Sequence, residues 1–310
     1  MAEKHVPANR EDWLTYRAKD VTSSEIGCLV DPEHPWITPL QLWNIKTGRL
    51  VPDNIDSPVL RRGKKLELVG AEETAERMPG AKIEHNTSNT YWRDGKLRIG
   101  ATPDLLVDDP ERGLGVVELK NPGVGTYARK WENGEPPLFM ALQVLTAAKL
   151  TGSGWAAIGA LRINDFTYDF DLVPIPLHQG AWQALLDAVG EFWRSVETDT
   201  PPAPDYARDG AVIAAMHPAS QGSTIDLSGD NELIVALAER EEAKALAKDL
   251  DAQIDRLDAI VRHKIGEHES ALARDWRVTL KTELRRAYSV PAASRRPIRV
   301  RRIQATQGDQ

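Results

Sequence analysis

Apolar positions along the chain alternate between a helical and a strand-like rhythm, and the changes of rhythm mark out its elements. Residues 9–30 read as an amphipathic helix, a turn and a second helix. Asn9 is a candidate N-cap, Trp13, Leu14 and Arg17 follow at helical spacing, and Thr22 or Ser23 can cap the next helix with Glu25 early in it. Pro39 to Lys46 predicts a short helix stopped at Gly48, and Arg61 to Met78 a longer one ending at Pro79-Gly80. The rhythm then shortens. Leu97 to Val107 and Leu114 to Lys120 are aliphatic runs joined by Asp108-Asp109-Pro110-Glu111-Arg112-Gly113, which predicts a β-hairpin with a loop longer than two residues. Pro137 to Leu150 returns to helix, and Ala156 to Asn164 with Tyr168 to Val173 predicts a further strand pair. His178 to Val196 is an amphipathic helix with Trp182, Leu185, Leu186, Val189, Phe192, Trp193 and Val196 on one face, an aromatic stripe suited to core packing.

Pro201-Pro202-Ala203-Pro204 reads as a linker, dividing the chain into residues 1–204 and a C-terminal extension over 205–310. The extension carries a long charged helix from about Asn231 to Ile265. Leu246, Leu250, Ile254, Leu257 and Val261 recur there as the face of a coiled coil or helical hairpin would. Trp276 to Leu280 and Ile298 to Ile303 predict short strands. The fold class is α/β (α+β), with mixed strands and helices in the first part and a helical extension with a basic tail.

With 310 residues, 41% hydrophobic and 27% charged, the composition is that of an ordinary globular protein. No apolar run is long enough to cross a membrane, and MAEKHVPANREDW lacks an apolar signal core, so no membrane association is expected. The lone Cys28 excludes an internal disulfide, a four-cysteine zinc site and a cysteine-ligated iron–sulfur cluster, and points to a reducing, cytoplasmic compartment. The net charge of −7 counts against nucleic acid only as an average. Lys281, Arg285, Arg286, Arg295, Arg296, Arg299, Arg301 and Arg302 face the single acid Glu283, a basic arm that suits either phosphate binding or simple solubility. No Gly-rich loop with Lys-Ser/Thr is present, and His263 and His268 are not spaced as a helical zinc pair.

Candidate chemistry sits in Gly100-Ala101-Thr102-Pro103-Asp104 followed by Val116-Val117-Glu118-Leu119-Lys120. On a strand, Glu118 and Lys120 share a face while Val117 and Leu119 point away, and hairpin pairing lets Asp104 approach them. Two carboxylates and the Leu119 carbonyl make a partial cage for Mg2+, with Mn2+ as a substitute, and such an ion serves phosphodiester hydrolysis. Lys120 beside two carboxylates should stay protonated and act electrostatically. An exposed salt bridge on a hairpin would use the same residues. Three further features add weight: Glu67 in Arg61-Arg62-Gly63-Lys64-Lys65-Leu66-Glu67, able to take part in metal binding; Gln143, an amide amid apolar residues; and Arg17 with Ser24, a possible anion site.

Taken together these residues resemble the YqaJ-type viral recombinase, lambda-exonuclease-like family, a branch of the PD-(D/E)xK nucleases. The matching segments run in the family's order: Trp13 to Arg17, Thr22 to Gly27, Thr38-Pro39-Leu40, Lys46-Thr47-Gly48, Arg62-Gly63 to Glu67, Gly100 to Asp104, Glu118 to Lys120, Gln143 and Phe192-Trp193. They span roughly residues 10–200. The resemblance implies a restriction-endonuclease-like core, a central mixed sheet flanked by helices. It also implies 5′-to-3′ digestion of double-stranded DNA ends with Mg2+, leaving 3′ overhangs for a single-strand annealing partner in a phage-type recombination system of the bacterial cytoplasm. Asp104 and Glu118 become metal ligands, Lys120 catalytic, Glu67 and Gln143 neighbours of the site, and Arg17 with Ser24 the 5′-phosphate anchor. Asp94 matches a further acidic position. Ring-shaped trimers occur in the family, so a homo-oligomer is a candidate state. The alternatives are an endonuclease with the same core and a non-catalytic DNA-binding scaffold. The loop between Asp104 and Glu118 looks longer than in compact members, and Cas4-type relatives are disfavoured because Cys28 stands alone.

Overall fold

The computed structural model describes residues 2–51, 57–131, 133–164, 166–284 and 297–300. The chain divides into two compact units, Met1–Met216 and His217–Gln310. In chain order the first holds β1 (Glu3–His5), α1 (Arg10–Lys19), β2 (Val21–Thr22), α2 (Ser23–Ile26), α3 (Pro39–Lys46), α4 (Pro58–Arg77), β3 (Lys82–His85), β4 (Tyr91–Asp94), β5 (Ile99–Ala101), β6 (Leu105–Asp109), β7 (Gly113–Lys120), α5 (Val124–Lys130), α6 (Leu138–Thr151), β8 (Trp155–Ile163), β9 (Tyr168–Ile175), α7 (Gln179–Glu197) and α8 (Gly210–Met216).

Local chemistry sets many of these boundaries. The Asn9 side chain accepts from the Asp12 N–H and starts α1, while Glu25 reaches back to the Thr22 N–H at the start of α2. Thr38 caps α3 and is followed by Pro39, whose missing N–H costs nothing in the first turn. Helix α6 is apolar almost all round, as befits a helix enclosed by protein, and it ends where Gly152 takes a left-handed conformation at φ 73°.

The central sheet has the order β3-β6-β7-β8-β9. Every pairing in it is antiparallel except β7 with β8, so it is mixed, and the parallel step is bridged by the long crossover through α5 and α6. Side-chain alternation gives the sheet two working faces. Val117, Leu105, Val107 and Ala157 pack with Ala71 and Met78 on the α4 side. Val116, Ile158 and Ala160 join Leu142, Leu145 and Leu185 in the larger core on the α6 and α7 side. Gly70 lets α4 settle on Leu119, because a Cβ there would lie 2.9 Å from a Leu119 methyl. A second sheet, β1-β4-β5-β2, lies in the same unit.

The expected single strand over Leu97–Val107 is in fact two strands in different sheets. Ile99–Ala101 belongs to the four-stranded sheet and Leu105–Asp109 to the central one, with Thr102-Pro103-Asp104 between them. Pro103 has no N–H for a ladder, so a break there loses nothing. Strands β1, β3 and β4 and helix α5 were not expected, being three to seven residues long and without a clear period.

The chain beyond Pro204 stays in the first unit as far as Met216. Arg208 donates to the carbonyls of Pro32 and His34, and the Thr38 hydroxyl donates to Asp209. The second unit contains α9 (Asn231–Ile265) and the hairpin β10 (Ser270–Ala273) to β11 (Trp276–Thr279). Leu246, Leu250, Ile254, Leu257 and Val261 are exposed along α9. Ile298–Val300 is not a strand. Of the basic arm, only Lys281 and Arg299 fall among the described residues; Arg285, Arg286, Arg295, Arg296, Arg301 and Arg302 lie outside them, as does Ile303. Among the described residues no helix is long and apolar enough to cross a membrane.

Candidate active site

Strand β7 delivers Glu118 and Lys120 to the α6 face of the sheet. Lys120 Nζ lies 2.8 Å from Glu118 Oε1. Gln143, one of the buried residues of α6, completes a triangle: its Nε2 donates to Glu118 Oε1 at 2.5 Å and its Oε1 accepts from Lys120 Nζ at 3.1 Å. Both ends of the amide thus have a partner, which accounts for a glutamine in an apolar helix.

Asp104 arrives from the break between β5 and β6. The β6–β7 register pairs Leu105 with Val117, and the Leu119 N–H donates to Asp104 Oδ2 at 2.8 Å. The backbone of Leu119, the expected source of a carbonyl ligand, is thereby held against the site. Although part of Asp104 reaches the surface, its carboxylate is crowded by protein. That loss of water, with the charge of Glu118, pushes its pKa well above the usual aspartate value, against the lowering influence of Lys120 and the Leu119 N–H. Burial alone would lower Lys120, but the charges of Glu118 and Asp104 outweigh it and hold the ammonium above its ordinary pKa. The sequence-based expectation that Lys120 stays protonated agrees with this direction.

Glu67 stands across a cleft lined also by Gly63, Leu119, Lys120 and Asn121. Its Oε2 lies 2.9 Å from Lys64 Nζ and 3.6 Å from His85 Nε2, and its charge acts on both Asp104 and Lys120. Arg62 pins the residue after Lys120, donating to Asn121 Oδ1 at 2.5 Å. Among the described residues no cluster of three or more His, Cys, Asp and Glu forms a ready-made metal cage. The donor set still fits a hard dication. The single charge of Lys120 offsets only part of the negative charge of Asp104, Glu118 and Glu67, and magnesium characteristically takes one or two carboxylates and keeps several waters.

Arg17 and Ser24 also come together: Arg17 Nη2 lies 3.3 Å from both Ser24 Oγ and Thr22 Oγ1. The guanidinium is stacked over the Trp13 ring at 4.6 Å. Trp13 Nε1 in turn donates to Thr102 Oγ1 at 3.0 Å, two residues before Asp104. This tie between the Arg17 cluster and the segment that carries Asp104 could not be read from sequence, and neither could Thr22's place in it nor His85's beside Glu67. His85 lies in a strand too short to show a period. Asp94 instead closes the β4–β5 turn, accepting from the Lys96 and Leu97 N–H groups.

A central mixed sheet flanked by helices, with Asp104 entering one strand and Glu118 and Lys120 at the end of the next, is the arrangement that the PD-(D/E)xK resemblance calls for. The family model described as the YqaJ-like viral recombinase domain matches residues 12–154. Over that segment the chain is similar to the YqaJ-like viral recombinase domain. No curated protein matches the sequence. Among solved structures the chain is similar to an alkaline exonuclease, LHK-Exo, from Laribacter hongkongensis, at 19% identity over 66% of this chain and 98% of that one, with a TM-score of 0.46. It is also similar to a phage-related exonuclease from Haemophilus somnus 129PT, at 11% identity over 63% and 91% of the two chains, with a TM-score of 0.36. A third likeness is to the SOX protein of KSHV in an RNA complex, at 11% identity over 62% and 71%, with a TM-score of 0.37. At such identities and scores these likenesses carry no assignment of activity.

Proposed function

We propose that this chain is a metal-dependent deoxyribonuclease that digests double-stranded DNA from 5′ ends. The observation that carries the reading is the link from the Arg17–Thr22–Ser24 anion site, through Trp13 and Thr102, to the Asp104–Glu118–Lys120 centre. An internal cutter has no need of a phosphate anchor rigidly tied to its catalytic carboxylate.

In this reading Asp104, Glu118 and the Leu119 carbonyl hold Mg2+, or Mn2+ in its place, with Glu67 on the opposite wall. When bound, the ion lowers the pKa of a coordinated water and offsets charge on the phosphate. Lys120 donates hydrogen bonds to the oxygens that gain charge in the transition state. Gln143 keeps Glu118 and Lys120 in register. Arg17 and the hydroxyls of Thr22 and Ser24 grip the terminal 5′-phosphate by charge-assisted hydrogen bonds and so set how far the strand enters. Removal of nucleotides from 5′ ends leaves 3′ overhangs, the substrate of a single-strand annealing protein. The family places such a pair in phage-type recombination within a bacterial cytoplasm, and a homo-oligomer such as a ring trimer would keep the enzyme on its strand.

The test is digestion of linear and covalently closed circular duplex, with and without a 5′-phosphate, in Mg2+, Mn2+ or EDTA. The linear 5′-phosphorylated duplex should be consumed in either metal and spared in EDTA. Equal cutting of the circle would replace the exonuclease reading with an endonuclease. Binding without cutting in either metal would leave a DNA-binding scaffold.

A further inference from the structure

We propose that Trp36 is a stacking platform for a nucleobase of the DNA end. The inference rests on the nuclease reading above and adds a contact that reads the base rather than the phosphate.

Trp36 is 64% exposed, yet its ring is fixed. It meets the Phe139 ring edge-to-face at 5.0 Å and 86°, and the His34 ring at 5.8 Å and 85°. Those two rings are themselves buried and cross at 5.3 Å. His34 is held in place by its Nδ1 contact to the Ile37 carbonyl at 3.2 Å and by Arg208 on its own carbonyl. Gly27 closes the base of the cluster, since a Cβ there would come within 3.0 Å of Phe139 and 3.2 Å of His34. An aromatic ring that is open on one side and clamped on the other has already lost the freedom that stacking would otherwise cost.

Its position gives the platform its ligand. Phe139 lies one helical turn before Gln143 on α6, a rise of about 6 Å, and Gln143 touches both Glu118 and Lys120. On its other side, Gly27, which packs against both the Phe139 and His34 rings, lies three residues after Ser24, which belongs to the anion site. Trp36 therefore shares supports with both halves of the site. Stacked nucleotides rise about 3.4 Å each, so a ring braced by both halves of the site would serve one of the first few bases of the anchored strand. Every base offers a π-face, so the contact would be tolerant of sequence, as a processive digestion requires.

The test uses the full-length protein in a Lys120→Ala background, which blocks cleavage, with Mg2+ present. The probe is a 5′-phosphorylated duplex carrying 2-aminopurine in turn at each of the first three positions of the phosphorylated strand. With Trp36 in place, binding should quench the fluorophore at one of these positions. Adding Trp36→Ala should abolish that quench and weaken end binding about 5- to 100-fold, the range for loss of one base–aromatic stack. Trp36→Phe should restore most of both, because a smaller ring still stacks. Equal quenching and affinity with Trp36→Ala would overturn the proposal while leaving the nuclease reading intact. Failure of the Trp36-bearing protein to bind phosphorylated ends at all would overturn the nuclease reading, and the proposal with it.

Discussion

Replacing Gln143 by leucine removes two bonds and little volume. In the native site, Gln143 Nε2 donates to Glu118 Oε1 at 2.5 Å and its carbonyl accepts from Lys120 Nζ at 3.1 Å, while Lys120 and Glu118 touch directly at 2.8 Å. Gln143→Leu leaves that ion pair in place but frees it to rotate. A hydrogen bond to a charged partner contributes roughly 1.5–3 kcal/mol. Leucine recovers part of this by filling an apolar surround, so the net destabilisation should be about 1–2 kcal/mol. For a folded unit of this size that lowers Tm by about 2–8 °C, leaving the protein folded at 25 °C. The effect on catalysis should be larger in proportion, because residues that orient metal ligands typically govern about 10- to 100-fold in activity or metal affinity. Steady-state nucleotide release from a 5′-phosphorylated duplex, measured across a Mg2+ titration, should show kcat reduced by that factor and a higher Mg2+ requirement. End binding should be unchanged. Activity within twofold of wild type at every Mg2+ concentration, with Glu118→Gln inactive in the same assay, would refute the positioning role of Gln143.

Other outcomes follow from the same geometry. Lys120→Ala should lower cleavage by at least about 100-fold, as loss of one transition-state donor does, while end binding measured by electrophoretic mobility survives. Arg17→Ala should reduce the preference for 5′-phosphate over 5′-hydroxyl ends by about 10- to 100-fold, the worth of one charge-assisted contact, as read from competition between the two substrates. Asp104→Asn should abolish cleavage yet raise Tm at neutral pH in EDTA. Burial and Glu118 hold the Asp104 pKa well above its ordinary value, so the native state binds this proton more tightly than the unfolded chain and loses stability as pH rises through that value. The asparagine variant should lose this pH dependence, and a Tm that falls instead would show the carboxylate to be stabilising. Arg93→Met should destabilise by about 3–5 kcal/mol in urea unfolding, because Asp20 is fully buried and takes two bonds from Arg93, at 2.9 and 2.7 Å, and the neutral Tyr91 hydroxyl at 3.2 Å brings no compensating charge.

Much of the architecture is local information and was legible along the chain. Helix α3 occupies the expected Pro39–Lys46, and α9 the expected Asn231–Ile265, because caps, a proline at the first turn and a 3.6-residue period act over neighbouring residues. The same holds for Glu118 and Lys120: two residues apart on a strand, they share a face in any fold that contains that strand. Distance along the chain is where this reasoning stops. Asp104 reaches Glu118 because of a register that pairs Leu105 with Val117 and an interruption of the strand at Pro103 that carries the chain from one sheet to another. Gln143 reaches the same carboxylate from a crossover helix packed on the face to which Glu118 points, and Trp13 reaches Thr102 across 89 residues. Residue types alone determined which groups could do phosphodiester chemistry. Which of them meet was decided by strand pairing and helix packing, since contacts between distant segments depend on how the whole core closes and not on any periodicity within a segment.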